Sequence, residues 1–293
     1  IIMIRVIASD LDGTLLGRNH KVAPQTEAAV KQACQAGIHF IITTGRSFRG
    51  ALQAVEDCDF ICDFLTANGA EIRNAHYDVL RSIPLSYDVC ADIFALKQQY
   101  TMDIICFSRD FDFRIGTTHF TQNFTIPQPR QNFLTRIPST IRLGIHTRRH
   151  STIPTIHDWT ILEKQHIPVY KIDLVTGNAQ TARLLREKLR TDSRMALAFS
   201  SVNDLEITHP SVQKGPILQQ YIQSLGYSMD EVMVFGDSMN DFSMLSMNFG
   251  ATVAMGQAIP EIKSAAKYIT KSNDDFGVAS MIHKLLNNGR ELI

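Results

Sequence analysis

Three short apolar runs along the chain are each followed at once by polar residues. Residues 4–8 read IRVIA, residues 38–42 read IHFII and residues 232–235 read VMVF. Runs of this length, rich in β-branched residues and bounded by polar or glycine residues, are typical of buried β-strands. Between the first two runs, residues 24–36 carry apolar positions at helical spacing. We therefore expect a β-α-β unit and a parallel sheet.

The pattern changes between residues 83 and 209, where shorter segments alternate. Extended segments are expected at residues 101–107, 111–115, 141–146, 169–176, 196–199 and 205–208, and helices at 88–99, 153–165 and 181–190. A stretch of roughly 125 residues is too long for a loop. We predict an α/β protein with a Rossmann-like, doubly wound parallel sheet core from residues 1–82 and 210–293, and an inserted α/β domain from residues 83–209.

Composition disfavours some classes of protein but does not indicate a function. The 293 residues are 44% hydrophobic and 20% charged, and 29 basic residues balance 29 acidic ones. A balanced charge does not favour a nucleic-acid surface, and no apolar run reaches the roughly 18 residues of a membrane span. The five cysteines form no CxxC pair, so we expect reduced thiols in a cytoplasmic protein. The oligomeric state is not indicated.

The first apolar run leads into the sequence DLDGTLL, which contains Asp10 and Asp12. In open α/β sheets, ligands bind at the carboxyl ends of the strands, so these acids lie where chemistry is expected. A carboxylate can attack phosphorus, and a second can donate and accept protons. Mg²⁺ prefers such oxygen ligands together with phosphate. These residues are compatible with metal-assisted phosphoryl transfer, the chemistry that the family resemblance described below implies.

The other strand ends carry matching chemistry. Thr44 and Gly45 follow the second run and offer a hydroxyl, a backbone N–H and close approach to a phosphate. Arg46 either contacts the substrate or only bonds its own loop. The third run ends in GDSMND at residues 236–241, and Lys214 precedes a helix expected from Pro216 to Leu225.

Together, DLDGTLL, TGR at residues 44–46, Lys214 and GDSMND resemble the four motifs of the haloacid dehalogenase (HAD) phosphotransferase superfamily. The long insertion between the second and third motifs resembles the large α/β cap of the Cof-like, sugar-phosphatase branch. NGA at residues 68–70 and GVA at residues 277–279 fit that branch, whereas Gln257 and Phe276 depart from its usual pattern.

The resemblance implies roles for particular residues. Asp10 would be the nucleophile that forms an aspartyl-phosphate, and Asp12 the general acid and base; the implied catalytic set is Asp10, Asp12, Thr44 and Lys214. The implied substrate and phosphate contacts are Leu11, Thr44, Gly45, Arg46, Lys214 and Asn240. The implied ligands of Mg²⁺ are Asp10, Asp12, Asp237 and Asp241, with Asp12 acting through its carbonyl and Asp241 supporting the others.

The expected function is a Mg²⁺-dependent phosphatase acting on small phosphorylated metabolites, sugar phosphates first. Two alternatives stay open. One is a sugar phosphomutase that uses the same aspartyl-phosphate, and the other is a non-catalytic regulator that binds sugar phosphates. The insertion also holds His146, Arg148, Arg149 and His150, which we interpret as a solvated turn rather than as cations facing the substrate.

Overall fold

The computed structural model describes residues 3–116, 153–199 and 202–290. Its strands are β1 Val6–Ser9, β2 His39–Thr43, β3 Asp63–Thr66, β4 Glu71–Arg73, β5 Val79–Ser82, β6 Met102–Phe107, β7 Asp112–Ile115, β8 Thr155–Ile156, β9 Lys171–Thr176, β10 Ala196–Ala198, β11 Asp204–Thr208, β12 Val232–Gly236, β13 Ala251–Ala254 and β14 Tyr268–Ile269. Its helices are α1 Pro24–Gln35, α2 Phe48–Val55, α3 Tyr87–Ala95, α4 Thr160–Lys164, α5 Ala179–Leu189, α6 Lys214–Ser224, α7 Phe242–Leu245, α8 Pro260–Ala265 and α9 Gly277–Asn287. Among the helices in these ranges, none combines the length and hydropathy that a bilayer-spanning segment needs.

The first sheet has the strand order β14-β13-β12-β1-β2-β3-β4-β5 within the described residues. The strands from β14 to β3 run parallel to one another. A turn at Ala67–Gly69 then reverses the chain, so that β4 and β5 extend the sheet in antiparallel fashion. Asn68 in this turn has a φ of 59°, which an Asn-Gly pair accommodates at little cost.

Apolar side chains cover both faces of the first sheet. One core cluster joins it to α1, α2 and α9, and another joins the opposite face to α6, α7 and α8. Strands that are buried on both faces read as continuous apolar runs, which explains the pattern of β1, β2 and β12. The predicted doubly wound α/β core is therefore confirmed.

The second sheet has the order β10-β11-β9-β6-β7-β8 and is antiparallel except between β7 and β8. Its apolar face packs against residues of α3, α4 and α5. Its strands and helices come from the stretch where the sequence predicts alternating segments. The strand expected at residues 141–146, and the basic group from His146 to His150, lie outside the described residues.

The helix expected over residues 153–165 is wrong in its first half. The structure has β8 there, followed by the short α4. Pro154 disfavours helical backbone at the residue before it, so the chain stays extended into Ile156. The Asp158 side chain then accepts a hydrogen bond from the backbone N–H of Thr160 at 3.1 Å, and the helix begins at that point.

The helix expected from Pro216 begins two residues earlier, at Lys214. Proline is tolerated in the first turn because the N–H groups there have no acceptor inside the helix. A Cβ at Gly215 would lie 2.6 Å from the backbone carbonyl carbon of Ser243, so α6 approaches α7 more closely than another residue allows. The earlier start places Lys214 at the N-terminus of α6.

Candidate active site

Three neighbouring strands of the first sheet end at candidate site residues. Asp237 follows β12, Asp10 follows β1 and Thr44 follows β2, in the spatial order β12-β1-β2. Parallel strands present their carboxyl ends at one edge, so residues distant in sequence become neighbours there. The backbone N–H of Asp10 donates to the carbonyl oxygen of Phe235 at 3.1 Å. This hydrogen bond links the DLDGTLL segment directly to the strand that carries GDSMND.

Lys214 connects two of the predicted carboxylates. Its Nζ lies 2.7 Å from Asp10 Oδ1 and 2.7 Å from Asp241 Oδ1, and all three side chains are buried. Burial raises the pKa of Asp10 well above its usual range and the charge of Asp241 raises it further, while Lys214 opposes both. Burial works against the charge of Lys214, but the two carboxylates outweigh it and raise the pKa of Lys214. Lys214 therefore stays charged.

Asp241 also organises the loop that carries Asp237. Its Oδ2 accepts hydrogen bonds from the backbone N–H groups of Asp237 at 3.0 Å and Ser238 at 3.2 Å. Both carboxylate oxygens of Asp241 thus have donors inside the protein. The Thr14 hydroxyl donates to Asp237 Oδ1 at 3.1 Å, and this leaves the other oxygen of Asp237 available for a ligand.

The carboxylates fit a divalent cation. One oxygen each from Asp10, Asp237 and Asp241 lies within 4.8 Å of the others, a cluster identified among the described residues. Burial, followed by the charge of Asp241, raises the pKa of Asp237 to about 7, so the cluster is unfavourable without a positive charge beside it. The Asp237 carboxyl lies close to the backbone of Gly13, where only glycine fits: φ is +76°, and a Cβ there would lie 2.8 Å from the carboxyl carbon of Asp237. Oxygen ligands in a compact group are the donors that Mg²⁺ prefers.

Two of the residues predicted to bind phosphate, Thr44 and Asn240, lie next to Gly45. A Cβ at Gly45 would lie 3.4 Å from Asn240 Nδ2, so the Asn240 amide reaches the loop after β2. Asn240 Oδ1 accepts a hydrogen bond from the Ser238 hydroxyl at 2.6 Å, which orients Nδ2 away from its own loop. Thr44 is buried beside Gly45. The Leu11 side chain is fully buried in the core, so Leu11 can meet a ligand through its backbone.

Asp12 and Arg46 form an ion pair that the sequence does not predict. Arg46 Nε lies 2.7 Å from Asp12 Oδ2, and Arg46 Nη2 lies 2.5 Å from Asp12 Oδ1. The Asp12 side chain is 48% exposed and lies outside the three-carboxylate cluster. From the sequence, Arg46 either contacts the substrate or only bonds its own loop. In the structure its guanidinium contacts Asp12, so contact with the substrate stays a prediction.

Sequence reasoning missed three polar residues that lie against the same loop. Asn68 Nδ2 donates to Glu206 Oε2 at 2.6 Å, and Lys171 Nζ lies 3.3 Å from that same oxygen. All three residues are buried. The signal for Glu206 and Lys171 was a charged residue inside an apolar strand, and Asn68 was noted only as part of the NGA segment. Their convergence depends on how the two sheets face each other, which local pattern does not encode.

Comparison with known proteins agrees with the fold and identifies the family. A family model described as a haloacid dehalogenase-like hydrolase matches residues 7–282. The match covers most of the chain and includes all four segments that carry the candidate site. The chain therefore belongs to the haloacid dehalogenase-like hydrolases, and the predicted enzyme family is confirmed.

Individual relatives extend over nearly the whole chain. The Bacillus subtilis 5-amino-6-(5-phospho-D-ribitylamino)uracil phosphatase YcsE is 25% identical over 95% of this chain and 94% of its own length. The phosphatase YwpJ of the same organism is 26% identical over 97% of this chain and 100% of its own length. A solved haloacid dehalogenase-like hydrolase of B. subtilis superposes with a TM-score of 0.80 at 24% identity, covering 96% of this chain and 100% of that one.

Proposed function

We propose that this protein is a divalent-metal-dependent phosphatase that hydrolyses small phosphorylated metabolites, sugar phosphates in particular, through an aspartyl-phosphate on Asp10. The observation that carries the proposal is the position of Lys214 between Asp10 and Asp241, with Asp237 beside them. A buried ammonium group at this point fixes the rotation of the Asp10 carboxylate. It also offers a positive charge where a phosphoryl group would bind.

In the first step, a carboxylate oxygen of Asp10 forms a bond to phosphorus while the ester P–O bond breaks in line with it. The leaving oxygen takes a proton from Asp12. In the second step, water attacks phosphorus, Asp12 accepts its proton and the bond between Asp10 and phosphorus breaks. Asp12 lies at the exposed mouth of the site, and its side chain turns from Arg46 toward the leaving oxygen.

Asp10, Asp237 and the backbone carbonyl of Asp12 would hold Mg²⁺. Asp241 orients these groups, because both of its oxygens already accept hydrogen bonds from the protein. When bound, the cation supplies charge screening between an anionic nucleophile and an anionic phosphate.

Phosphate oxygens would be held by side chains and by two stretches of backbone. Lys214 supplies an ammonium group, and Thr44 and Asn240 supply a hydroxyl and an amide. The backbone N–H groups near Leu11 and Gly45 complete the set. The geometry around Gly45 supports this arrangement, since the Asn240 amide lies close to the point where a Cβ would otherwise project.

We further propose that residues 83–209 act as a cap on a core made of residues 1–82 and 210–293. The two separate sheets support this division, and the two parts are joined by specific hydrogen bonds. The Ser47 hydroxyl donates to Asp112 Oδ2 at 2.8 Å, and Arg73 Nη2 donates to the carbonyl oxygen of Arg109 at 2.7 Å. Opening and closing of such a cap would control substrate access and water exclusion. The phosphoribityl group in the name of the relative YcsE supports a sugar-like substrate class.

The test is phosphate release from a panel of phosphorylated metabolites and an aryl phosphate, with Mg²⁺ and with EDTA. We expect metal-dependent release from wild type and none from Asp10→Asn. The matched control is Asp57→Asn, whose side chain is 87% exposed. Activity of Asp10→Asn comparable to wild type would overturn the mechanism.

The same panel separates the alternatives. A phosphomutase would convert a hexose phosphate into an isomer, which product analysis detects, without releasing free phosphate. A non-catalytic regulator would bind sugar phosphates and leave both the metabolites and the aryl phosphate intact.

A further inference from the structure

One face of the second sheet carries a group of charged residues that are buried or half-buried. Lys171 and Asp173 alternate along β9 with the apolar Ile172, so they share a face. Glu206 on β11 is the direct partner of Asp173 in the antiparallel register and therefore lies on that face too. Lys171 Nζ is 3.0 Å from Asp173 Oδ1 and 3.3 Å from Glu206 Oε2. Charged side chains are buried in proteins only when they are paired with opposite charges. Lys171 is paired with Asp173 and Glu206 in this way.

This polar face reaches the loop that we propose to bind phosphate. A Cβ at Gly45 would lie 3.1 Å from Asn68 Oδ1 and 3.5 Å from Glu206 Oε2. The Asn68 amide bridges the two, because its Nδ2 donates to Glu206 Oε2. A phosphate ester held at Gly45 would therefore direct its leaving group at these side chains.

Two buried acceptor oxygens near this point have no hydrogen-bond donor among the described residues. One is Asn68 Oδ1, on a residue that is 5% exposed, and the other is Asp112 Oδ1. Asp112 and Lys171 are both aligned with Phe107 in the strand register, so they share a face of the sheet. Asp112 Oδ2 already accepts a hydrogen bond from the Ser47 hydroxyl. A buried acceptor without a donor is unfavourable, because it has lost its hydrogen bonds to water. Such oxygens are expected to receive donors from a ligand.

The charges of this group disfavour a second anion. Asp112, Asp173 and Glu206 bring three carboxylates, whereas Lys171 is the buried cation among them. Arg49 acts on Asp112 from the exposed side. Hydroxyl groups can donate to the acceptors and accept from Lys171, but a carboxylate or a second phosphate has no proton to donate. In a buried site, the repulsion between such an anionic group of the ligand and the three carboxylates is only weakly screened.

We propose that Asn68, Asp112, Lys171 and Glu206 form the leaving-group pocket, and that this pocket selects phosphate esters with an uncharged, polyhydroxylated leaving group over esters whose leaving group carries a second anion. The proposal rests on the proposed phosphatase function and adds to it the residues that determine specificity. None of the four takes part in the transfer of the phosphoryl group, and they contact only the part of the substrate that leaves.

Two matched substrate pairs test the selection. Glycerol 3-phosphate and 3-phosphoglycerate differ by a hydroxymethyl group in place of a carboxylate, and so do glucitol 6-phosphate and 6-phosphogluconate. We expect kcat/KM of wild type to favour the neutral member of each pair by about 10-fold or more. In Glu206→Gln, which removes one negative charge at constant size, the preference should fall to within about 3-fold, mainly through a lower KM for the anionic member.

The control is Glu163→Gln, the same chemical change at an exposed position on α4, which should keep the wild-type preference. A wild-type preference near unity would overturn the pocket, and so would an unchanged preference in Glu206→Gln. Asp112→Asn provides a second variant with the same expected direction. Release of p-nitrophenol from its phosphate ester reports on phosphatase chemistry separately, because that leaving group makes no use of the hydroxyl contacts. If wild type does not release p-nitrophenol, the proposed phosphatase function itself is contradicted, and not only the pocket.

Discussion

The contact between Arg46 and Asp12 constrains how the proposed acid and base can work. Arg46 presents two nitrogens to the two carboxylate oxygens of Asp12, and its Nη1 also donates to the carbonyl oxygen of Gly50 at 3.3 Å. A planar guanidinium held at three points orients its partner better than a single ammonium group can. We interpret Arg46 as a residue that positions Asp12 at the mouth of the site between reaction steps.

Arg46→Lys should therefore lower kcat with little change in KM. Lysine keeps the positive charge but loses the two-point contact, so Asp12 is less well oriented; residues that orient a functional group typically contribute about 10–100-fold. Steady-state kinetics with an aryl phosphate at saturating Mg²⁺ measures the effect. Arg18→Lys is the matched control, since Arg18 is 91% exposed and pairs with Asp274. A raised KM with unchanged kcat would instead indicate that Arg46 binds the substrate directly.

At the scale of residues, the sequence predicts which side chains lie close together when they follow the ends of adjacent parallel strands. Asp10, Thr44 and Asp237 meet because they follow three adjacent parallel strands, and the apolar runs identify those strands. Asn68 and Glu206 meet across two sheets. No local spacing relates them, so only the tertiary structure reveals the contact.

At the scale of elements, α6 links the site to the opposite edge of the first sheet. Lys214 lies at its start, and two turns later the Tyr221 hydroxyl donates to Asp63 Oδ2 at 2.7 Å. His39 Nε2 lies 2.5 Å from that same oxygen. Asp63 and His39 are the first residues of β3 and β2, so this contact fixes how far α6 extends along the sheet and where Lys214 lies.

Asp63→Asn should reduce the free energy of unfolding by about 1–3 kcal/mol at pH 7, because the His39 and Tyr221 hydrogen bonds lose a charged acceptor. Burial alone would raise the pKa of Asp63, but hydrogen bonds from His39 and Tyr221 lower it below its usual value. A depressed folded pKa stabilises the fold above the unfolded pKa of about 3.9. That contribution is lost as the pH falls through the folded value.

Urea unfolding of wild type and Asp63→Asn at pH 7, 5 and 3 measures this dependence. The difference in free energy of unfolding between the two proteins should be similar at pH 7 and pH 5 and should shrink at pH 3. Asp57→Asn, on the exposed surface, should show little difference at any of these values. A gap between wild type and Asp63→Asn that does not depend on pH would contradict the assignment of the effect to ionised Asp63.

The bounds of elements were predictable only where the apolar period is strong. α1 follows its predicted range closely, ending at Gln35. The error at residues 153–165 arose because a short apolar run fits a strand and a helix equally well. In this segment, Pro154 and the Asp158 side chain determine where the helix begins. These are effects of single residues, which the periodicity of apolar positions does not include.

At the scale of the whole molecule, the acidic cluster couples metal binding to stability. Three carboxylates are gathered around a single buried lysine, so part of the folding free energy is spent on holding like charges together. A bound cation recovers that cost. Stability of the whole chain should therefore report on occupancy of the site.

Thermal unfolding with Mg²⁺ and with EDTA tests this coupling. At a free Mg²⁺ concentration ten times its Kd, the wild-type protein should gain about 1.4 kcal/mol, which is roughly 3–6 °C in Tm for a chain with the usual 2–4 °C per kcal/mol. Asp237→Asn should lose this gain. At pH 8 in EDTA it should be more stable than wild type, because the pKa of Asp237 is raised to about 7 and its ionised form opposes folding.

The difference in stability between the two proteins should therefore narrow when Mg²⁺ replaces EDTA. Asp57→Asn serves again as the control and should follow wild type in both conditions. A Tm of wild type that is insensitive to Mg²⁺ would argue against a metal site at this cluster.

The central position of β1 also has a consequence for how the protein is made. Its partner β12 lies far along the chain, since Arg5 and Glu231, which directly precede the paired Val6 and Val232, are 226 positions apart. A ribosome that adds roughly 5–20 residues per second needs on the order of 10–45 seconds to cover that distance. During this interval one edge of β1 has no neighbouring strand, and an open apolar edge is a template for aggregation. Nascent chains that stall before β12 should therefore be the ones that chaperones and proteases capture.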